Sequence, residues 1–240
     1  MSAKVNSESA PLELTVIIPA LNECESLRTL LLDLSGRLRE VFNEAFEIIV
    51  VNDGSSDGTL QMLASLNEPR MQVVTHAISQ GSGAARKMGS RRARAEWCAW
   101  IDADGTYLAT DLIHAFQQRD DADQIIGRRN VDYGRYALVR INAKRLVSRL
   151  ASLLWRRDIP DLNSGLRIFR RSSMLTWLQE LPDGFSCTST ATLAALNHRQ
   201  KVSFIPISYL PRENGSHSKF HPLLDTLRLC RAVGRCYLRK

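Results

Sequence analysis

Residues 97–107 read WCAWIDADGTY, and the interpretation of the whole chain starts from them. The first five residues are mostly apolar, which predicts a short buried strand. Asp102 and Asp104 follow this strand, and two neighbouring carboxylates cost free energy when they are buried without a cation. Such a pair can hold Mg²⁺ or Mn²⁺ while a substrate diphosphate supplies the remaining oxygen ligands. Asp and Gly are also common in turns, so the tetrapeptide alone leaves a plain polar turn equally open.

Length and composition indicate a folded protein of one large α/β domain or two small ones. The chain has 240 residues, of which 44% are hydrophobic and 24% are charged. No apolar run reaches the roughly 18 residues that span a bilayer. The polar start, residues 1–13, predicts a flexible segment without a secretory signal. The five scattered cysteines are typical of reduced thiols in a cytosolic protein.

The charge is distributed unevenly along the chain. Residues 1–127 contain 11 Lys and Arg against 18 Asp and Glu, whereas residues 128–240 contain 21 against 7. The second half therefore carries a net charge of +14 and is expected to face phosphates, a membrane surface or nucleic acid.

Strands and helices are predicted to alternate, which is typical of a mostly parallel sheet with helices on both faces. In such sheets, ligands bind outside the carboxyl ends of the strands. The predicted strands are 14–18, 46–51, 71–75, 97–101, an edge strand at 124–127, and two later strands at 166–169 and 202–209. Three of them end in polar residues that should meet at one edge of the sheet: Asn22 and Glu23, Asn52 and Asp53, and Asp102 and Asp104.

Gly81 and Gly83 superficially suggest a dinucleotide-binding loop. Arg86 stands where the third glycine of that fingerprint belongs, and the stretch follows the third strand rather than the first. We therefore expect these glycines to allow close helix–strand packing, with Arg86 near the ligand.

Two basic amphipathic helices are predicted at 137–157 and 222–240. Leucines recur at helical spacing in both, and Lys and Arg occupy much of the remaining surface. Two interpretations stand: helices that lie on a membrane surface or a partner, or core-packed helices with a solvated basic face.

Six motifs, in order and at the expected spacing, resemble those of inverting glycosyltransferases of GT-A fold. The resemblance is to the branch of dolichol-phosphate mannosyltransferases and polyprenyl-phosphate glycosyltransferases. The motifs are VIIPALNE (16–23), VVNDGSSDGT (50–59), GSGAARKMGS (81–90), IDADGTY (101–107), DLNSGLRIFRR (161–171) and PISYLPRENGSHSK (206–219). The resemblance implies a GT-A domain over 14–219, which includes the amphipathic helix at about 137–157. The residue pattern adds a C-terminal basic amphipathic helix over 220–240.

The resemblance implies transfer of a sugar, with inversion, from a UDP- or GDP-linked donor to a polyprenyl phosphate, with Mg²⁺ or Mn²⁺ as cofactor. The residues implied for the nucleotide sugar are Pro19, Asn22, Glu23, Asn52, Asp53, Arg86, Asp102, Ala103 and Asp104. Those implied for the metal are Asp102, Asp104 and Thr106. Those implied for the acceptor phosphate are Arg128, Arg129, Arg140, Lys144, Arg212, Ser218 and Lys219, and the catalytic set is Asp102, Asp104, Arg129 and Arg140.

The chain departs from this family pattern in several places. Asn52 stands where an Asp is usual, Thr106 where many relatives carry Gln, and Lys144 where a Ser is common. The segment 185–190, FSCTST, lacks the Glu of many relatives, and many relatives add transmembrane helices after the last helix. A phosphate acceptor needs no general base, because it is already anionic near neutral pH. The missing Glu therefore fits a phosphate acceptor, which arginines bind well.

Three alternatives differ in function class. The first is a glycosyltransferase that acts on a hydroxyl of a glycolipid or polysaccharide, against which the missing base counts. The second is a nucleotidyltransferase, which would carry a Gly-rich basic loop where this chain reads PALNECES (19–26). The third is a non-catalytic membrane scaffold or nucleic-acid binder, which would leave the paired carboxylates unexplained and lacks an aromatic RNA-binding signature. We expect an enzyme attached peripherally to the cytoplasmic face of the inner membrane, with no nucleic-acid partner.

Overall fold

The structure is a computed structural model that describes residues 11–130, 137–184, 186–211 and 222–240. The side chains of the two C-terminal amphipathic helices are described from residues 145 and 226 onward. The predicted site residues Arg212, Ser218 and Lys219 lie outside the described residues, as do residues 1–10.

Within these residues, seven strands form one sheet in the order β3-β2-β1-β4-β6-β5-β7. The strands are β1 Leu14–Ala20, β2 Phe46–Asn52, β3 Met71–Thr75, β4 Trp97–Trp100, β5 Gln124–Arg129, β6 Arg167–Arg170 and β7 Val202–Ile207. The helices are α1 Cys24–Phe42, α2 Thr59–Ser65, α3 Ser82–Arg92, α4 Ala109–Gln117, α5 Ala137–Trp155, α6 Arg171–Trp177, α7 Cys187–Asn197 and α8 Pro222–Tyr237, with a short 3₁₀ helix at Leu178–Glu180. The mostly parallel α/β fold is thus confirmed.

The predicted edge strand at 124–127 lies inside the sheet instead. β5 pairs with β6 on one side and with β7 on the other. β6 runs antiparallel to both of its neighbours, β4 and β5. Because of this reversal, the loop that precedes β6 reaches the same edge of the sheet as the ends of β1, β2 and β4.

β1 extends through Pro19 to Ala20, two residues beyond the predicted end at residue 18. Pairing between β1 and β4 stops at Ile17 opposite Trp100, so Pro19 faces no ladder partner on that side. A residue without an N–H group is tolerated where no ladder bond is required.

Helices cover both faces of the sheet over two apolar cores. One core joins α1, α2 and α4 to the sheet, through residues such as Leu34 and Phe116. The other joins α3, α6 and α7 to the opposite face around Trp100 and Trp177. Gly89 brings α3 against β1, since a Cβ there would lie 2.5 Å from the Ile17 side chain. Gly81 and Gly83, expected to serve that packing, instead lie against the backbone of Pro182 and Asp183.

The two amphipathic helices pack together in a third core. Val147, Ala151 and Trp155 of α5 are buried against Leu229 and Val233 of α8. Leu146, Leu150 and Leu153 form an exposed leucine row on α5, with 66%, 40% and 75% of their surface accessible. The apolar stripe predicted for this helix is therefore two stripes, one buried and one exposed. Among the described residues, no helix is long and apolar enough to cross a bilayer.

Candidate active site

The polar ends of β1, β2 and β4 meet at one edge of the sheet, as the sequence predicted. β1 pairs in parallel with both β2 and β4, so the carboxyl ends of all three strands point the same way. Hydrogen bonds join the loop after β1 to the loop after β2. Asn22 Oδ1 accepts a 2.8 Å hydrogen bond from the Ser56 N–H, and the Asn22 N–H donates to Ser55 Oγ. Asn52 Oδ1 accepts from the Ser55 N–H at 3.2 Å. Both asparagines thus use their side-chain oxygens to shape the loops.

Three further residues predicted for the nucleotide sugar lie at this edge. Pro19 is partly exposed at the end of β1, and Ala103 is buried between the two aspartates. The Glu23 carboxylate accepts a hydrogen bond from Ser26 Oγ at 3.1 Å, and the Glu23 N–H donates to Thr59 Oγ1 at 3.2 Å.

Asp53 is buried, with 2% of its surface accessible, and both of its carboxylate oxygens are used within the protein. Oδ1 contacts His76 Nδ1 at 2.5 Å and accepts from the Gln80 N–H at 2.9 Å. Oδ2 accepts from Ser79 Oγ at 2.7 Å and from the Gly81 N–H at 2.9 Å. Burial alone would raise the pKa of Asp53, but these hydrogen bonds hold the pKa below its ordinary value. Asp53 therefore fixes the loop 76–81, which leads into α3.

Asp102 lies between Arg86 and Gly165. The Arg86 guanidinium donates to Asp102 Oδ1, and Arg86 itself is buried above the ring of Trp100. A Cβ atom on Gly165 would lie only 2.1 Å from Asp102 Oδ2. The Asp102 carboxylate can therefore occupy this position only because residue 165 has no side chain. The Gly165 N–H donates to the hydroxyl of Tyr107 at 2.8 Å. Arg86 was expected near the ligand, and the structure brings its guanidinium into direct contact with Asp102.

Asp104 is almost fully buried and is oriented by Thr106. Asp104 Oδ1 accepts from the Thr106 hydroxyl at 2.6 Å and from the Thr106 N–H at 3.2 Å. Thr106, predicted as a metal ligand, therefore holds a carboxylate in this arrangement. The Thr106 carbonyl accepts the Leu210 N–H at 2.9 Å, next to Tyr209, whose pKa is raised by burial.

Asp102 and Asp104 fit a divalent cation by their chemistry. Both are carboxylates at the end of the same strand, and the Asp102 side chain is 31% exposed at the edge where the three strands end. Carboxylate oxygens are the ligands that Mg²⁺ and Mn²⁺ prefer.

Arg129 lies at the carboxyl end of β5 and is held by Asp161. Arg129 Nε and Nη2 form a bidentate ion pair with Asp161 Oδ2 and Oδ1, each at 2.8 Å. Burial raises the pKa of Asp161, whereas the charge and hydrogen bonds of Arg129 lower it. The net effect is a pKa below the ordinary value. Arg128 precedes Arg129 on β5 and is exposed, since neighbouring strand residues point to opposite faces. Arg140 and Lys144 lie on α5, in the part whose side chains are outside the description.

Asp161, Tyr209, Tyr107 and Gly165 were not assigned to the site from sequence. Asp161 and Gly165 stand in the quoted motif DLNSG, where a turn explains both residue types equally well. Pairing of Asp161 with Arg129 spans 32 positions in the sequence and leaves no periodic signal. Tyr107 and Tyr209 look like core residues in the sequence, and both do pack in or against the apolar core.

Comparisons with known proteins agree with this architecture. A family model described as glycosyl transferase family 2 matches residues 15–178. An undecaprenyl-phosphate mannosyltransferase of Micrococcus luteus is 29% identical over 213 residues, which cover 83% of this chain and 84% of that protein. A dolichyl-phosphate beta-glucosyltransferase of Saccharomyces cerevisiae is 24% identical over 244 residues, which cover 91% of this chain and 72% of that protein.

A solved structure shows a similar fold. Glucosyl-3-phosphoglycerate synthase from Mycobacterium tuberculosis, in complex with Mn²⁺, UDP and glucosyl-3-phosphoglycerate, superposes with a TM-score of 0.64 and 17% identity. The superposition covers 95% of this chain and 79% of that one. The family model covers more than half of the chain, from β1 to the 3₁₀ helix. The chain therefore belongs to glycosyl transferase family 2 and has the GT-A fold.

Proposed function

We propose that this glycosyltransferase transfers a sugar, with inversion, from a UDP- or GDP-linked donor to a polyprenyl phosphate at the cytoplasmic membrane surface. The observation that carries the proposal is the position of Arg129, which lies at the carboxyl end of β5, has 11% of its side chain exposed and faces the ring of Tyr209. Tyr209 connects Arg129 to the Asp102–Asp104 pair, because its ring faces the Arg129 guanidinium and its neighbour Leu210 donates its N–H to the carbonyl of Thr106, which holds Asp104. An anionic acceptor bound at Arg129 would thus lie next to the carboxylates proposed to hold the donor diphosphate.

Asp102 and Asp104 would hold Mg²⁺ or Mn²⁺, and that cation would offset the charge that grows on the departing nucleoside diphosphate. Thr106 and Arg86 orient the two carboxylates through the contacts described above. The loop shaped by Asp53, together with the Asn22 and Asn52 loops, forms the proposed nucleoside side of the site. The relatives' names support a lipid phosphate as acceptor, since they specify undecaprenyl phosphate and dolichyl phosphate.

The chemistry near Arg129 favours a phosphate acceptor over a hydroxyl acceptor. A hydroxyl would need a carboxylate base with a pKa near the working pH. Asp161 is the carboxylate in contact with Arg129, and its lowered pKa makes it a poor base. The segment 185–190 lacks the Glu that the family resemblance implies, and its residues Thr188, Ser189 and Thr190 lie in the first turn of α7. Thr188 and Ser189 donate to Asn163 Oδ1 at 2.5 and 3.1 Å, so these hydroxyls shape the loop before β6.

The exposed leucine row of α5 supports the membrane location. Arg145, Arg149, Arg156 and Arg157 are exposed on the same helix and just beyond it. Apolar side chains flanked by basic ones are typical of helices that lie in a bilayer interface. A polyprenyl phosphate is itself anchored in the bilayer, so the enzyme has to meet its acceptor there.

The test is a transfer assay on the purified protein. Radiolabelled UDP- and GDP-sugars are offered in turn with Mn²⁺ or Mg²⁺ and a short polyprenyl phosphate, and label in the organic extract is counted. We expect lipid-phase label that disappears in Asp104→Asn and persists in Asp33→Asn, which alters an exposed carboxylate paired with Arg37 on α1. Hydrolysis of one donor without lipid label would instead support another acceptor. If the protein neither transfers nor hydrolyses the sugar and binds no nucleotide, the result would favour a scaffold.

A further inference from the structure

The Arg129 guanidinium is fixed on two sides. Asp161 engages Nε and Nη2 at 2.8 Å each and also accepts from the Arg129 N–H at 3.2 Å. The ring of Tyr209 lies 5.3 Å from the guanidinium carbon. Only 11% of the Arg129 side chain is exposed, and the same holds for Asp161. A guanidinium has five N–H donors, so this pair occupies two of them and sets the direction of the others.

The two groups that fix Arg129 are themselves fixed. Asp161 Oδ1 accepts from the Asn163 N–H at 3.1 Å. Arg167, which is fully buried, holds the same loop by donating to the carbonyls of Ser164 and Leu162 at 2.8 and 3.0 Å. Burial lowers the pKa of Arg167 to about 10, so at neutral pH it remains a cation.

Tyr209 is also tied to the donor side of the site. Its ring packs edge-on against Tyr107 at 5.3 Å, and Tyr107 accepts the Gly165 N–H. The next residue, Leu210, donates its N–H to the carbonyl of Thr106 at 2.9 Å, and Thr106 orients Asp104. Because the Tyr209 ring also faces the Arg129 guanidinium, a displacement of Tyr209 would change the position of that guanidinium.

We propose that Asp161 and Tyr209 are positioning residues that hold Arg129 in place for the phosphate of the acceptor. This inference rests on the proposed function. An arginine that is immobilised when the protein folds loses little conformational entropy when it binds its ligand, which favours tight binding. The charge of Asp161 opposes anion binding, but Asp161 takes one edge of the planar group and leaves the rest correctly oriented. We therefore expect loss of Asp161 to weaken acceptor binding.

The experiment measures steady-state kinetics with acceptor and donor varied in turn, for Asp161→Asn, Tyr209→Leu, Arg129→Gln and the double variant Arg129→Gln/Asp161→Asn. We expect Asp161→Asn to raise the KM for the acceptor by more than about tenfold, with the KM for the donor changed less than about twofold. Tyr209→Leu should shift the acceptor KM in the same direction. In the Arg129→Gln background, Asp161→Asn should add less than about twofold, because its effect acts through Arg129. Asp33→Asn, which breaks an exposed carboxylate–arginine pair, is the matched control.

An equal effect of Asp161→Asn with and without Arg129 would overturn the inference, as would an unchanged acceptor KM or an equal rise in the donor KM. If Asp161→Asn does not fold, as judged by circular dichroism, Tyr209→Leu and the double variant, which removes both charges of the pair, decide the matter. Binding of a short polyprenyl phosphate, measured by calorimetry, separates the two proposals. If the wild type binds this lipid phosphate and both Asp161→Asn and Tyr209→Leu bind it with the same affinity, the positioning role alone is refuted. No binding and no transfer by the wild type refutes the proposed function, and the positioning role with it.

Discussion

Substitution of Gly165 by Ala tests whether the position of Asp102 controls the reaction. The new Cβ would lie 2.1 Å from Asp102 Oδ2 and 2.5 Å from its carboxyl carbon. Ordinary contact begins at 3.4 Å, so the carboxylate must move by about 1.3 Å. Gly165 does not adopt a positive φ, so the strain comes from this contact and not from the backbone.

We expect Gly165→Ala to lower kcat/KM for the nucleotide sugar by about a hundredfold, since a misplacement of about 1 Å can cost that much. This corresponds to about 2.7 kcal/mol of transition-state stabilisation. Because the Asp102 side chain is 31% exposed, it can move aside without disrupting the core, and the free energy of unfolding should fall by less than about 2 kcal/mol.

The assay follows transfer or hydrolysis of the donor at several Mn²⁺ concentrations, with urea denaturation to check folding. Gly36→Ala is the matched control, because a Cβ at Gly36 on α1 meets nothing within 4 Å. A folded Gly165→Ala variant with wild-type kcat/KM and wild-type Mn²⁺ dependence would refute the reasoning.

Two further predictions concern Asp53 and the exposed leucine row. Asp53→Asn should lower the free energy of unfolding at pH 7 by about 2–4 kcal/mol in urea denaturation, because the carboxylate accepts four hydrogen bonds. Since the pKa of Asp53 is lowered in the folded state, its stabilisation is complete above about pH 4 and is lost as the pH falls through the folded pKa. The variant should therefore lose less stability below pH 4 than the wild type, and an equal loss would contradict this account. Wild-type protein should sediment with anionic liposomes at low salt and be partly released at high salt, at about 1 kcal/mol per basic residue near the surface. Exchange of Leu150 and Leu153 for Ser should weaken retention at both salt concentrations, whereas unchanged retention would show that this face does not enter the lipid.

Local patterns predict the strands and helices well, because an apolar run or a leucine period reports burial directly. The run at 71–75 matches β3 to the residue. The place of β5 in the sheet could not be read in this way, since it depends on the pairing of residues that are distant in sequence, such as Ile125 with Ser203. The direction of β6 likewise follows from pairs such as Trp100 with Arg167.

The site likewise has features that local sequence patterns predict and features that depend on contacts between distant residues. Convergence of Asp53 with Asp102 could be predicted, because both follow parallel strands that share β1 as a neighbour. The contacts that orient these carboxylates could not, because each joins segments far apart in sequence. Asp53 binds a loop 23 to 28 positions later, and Arg129 finds its partner 32 positions later.

The reversed direction of β6 has a consequence for how this enzyme can diverge. Residues proposed to bind the donor all lie before residue 107, on β1, β2, α3 and β4 and the loops that follow them. Residues proposed to bind the acceptor all lie after residue 127. Among the described ones, Arg129 lies at the carboxyl end of β5, and its partner Asp161 meets it from the segment before β6, which runs backwards. Acceptor choice can thus drift, or be exchanged between relatives as a contiguous segment, while the donor half keeps its own strands and loops.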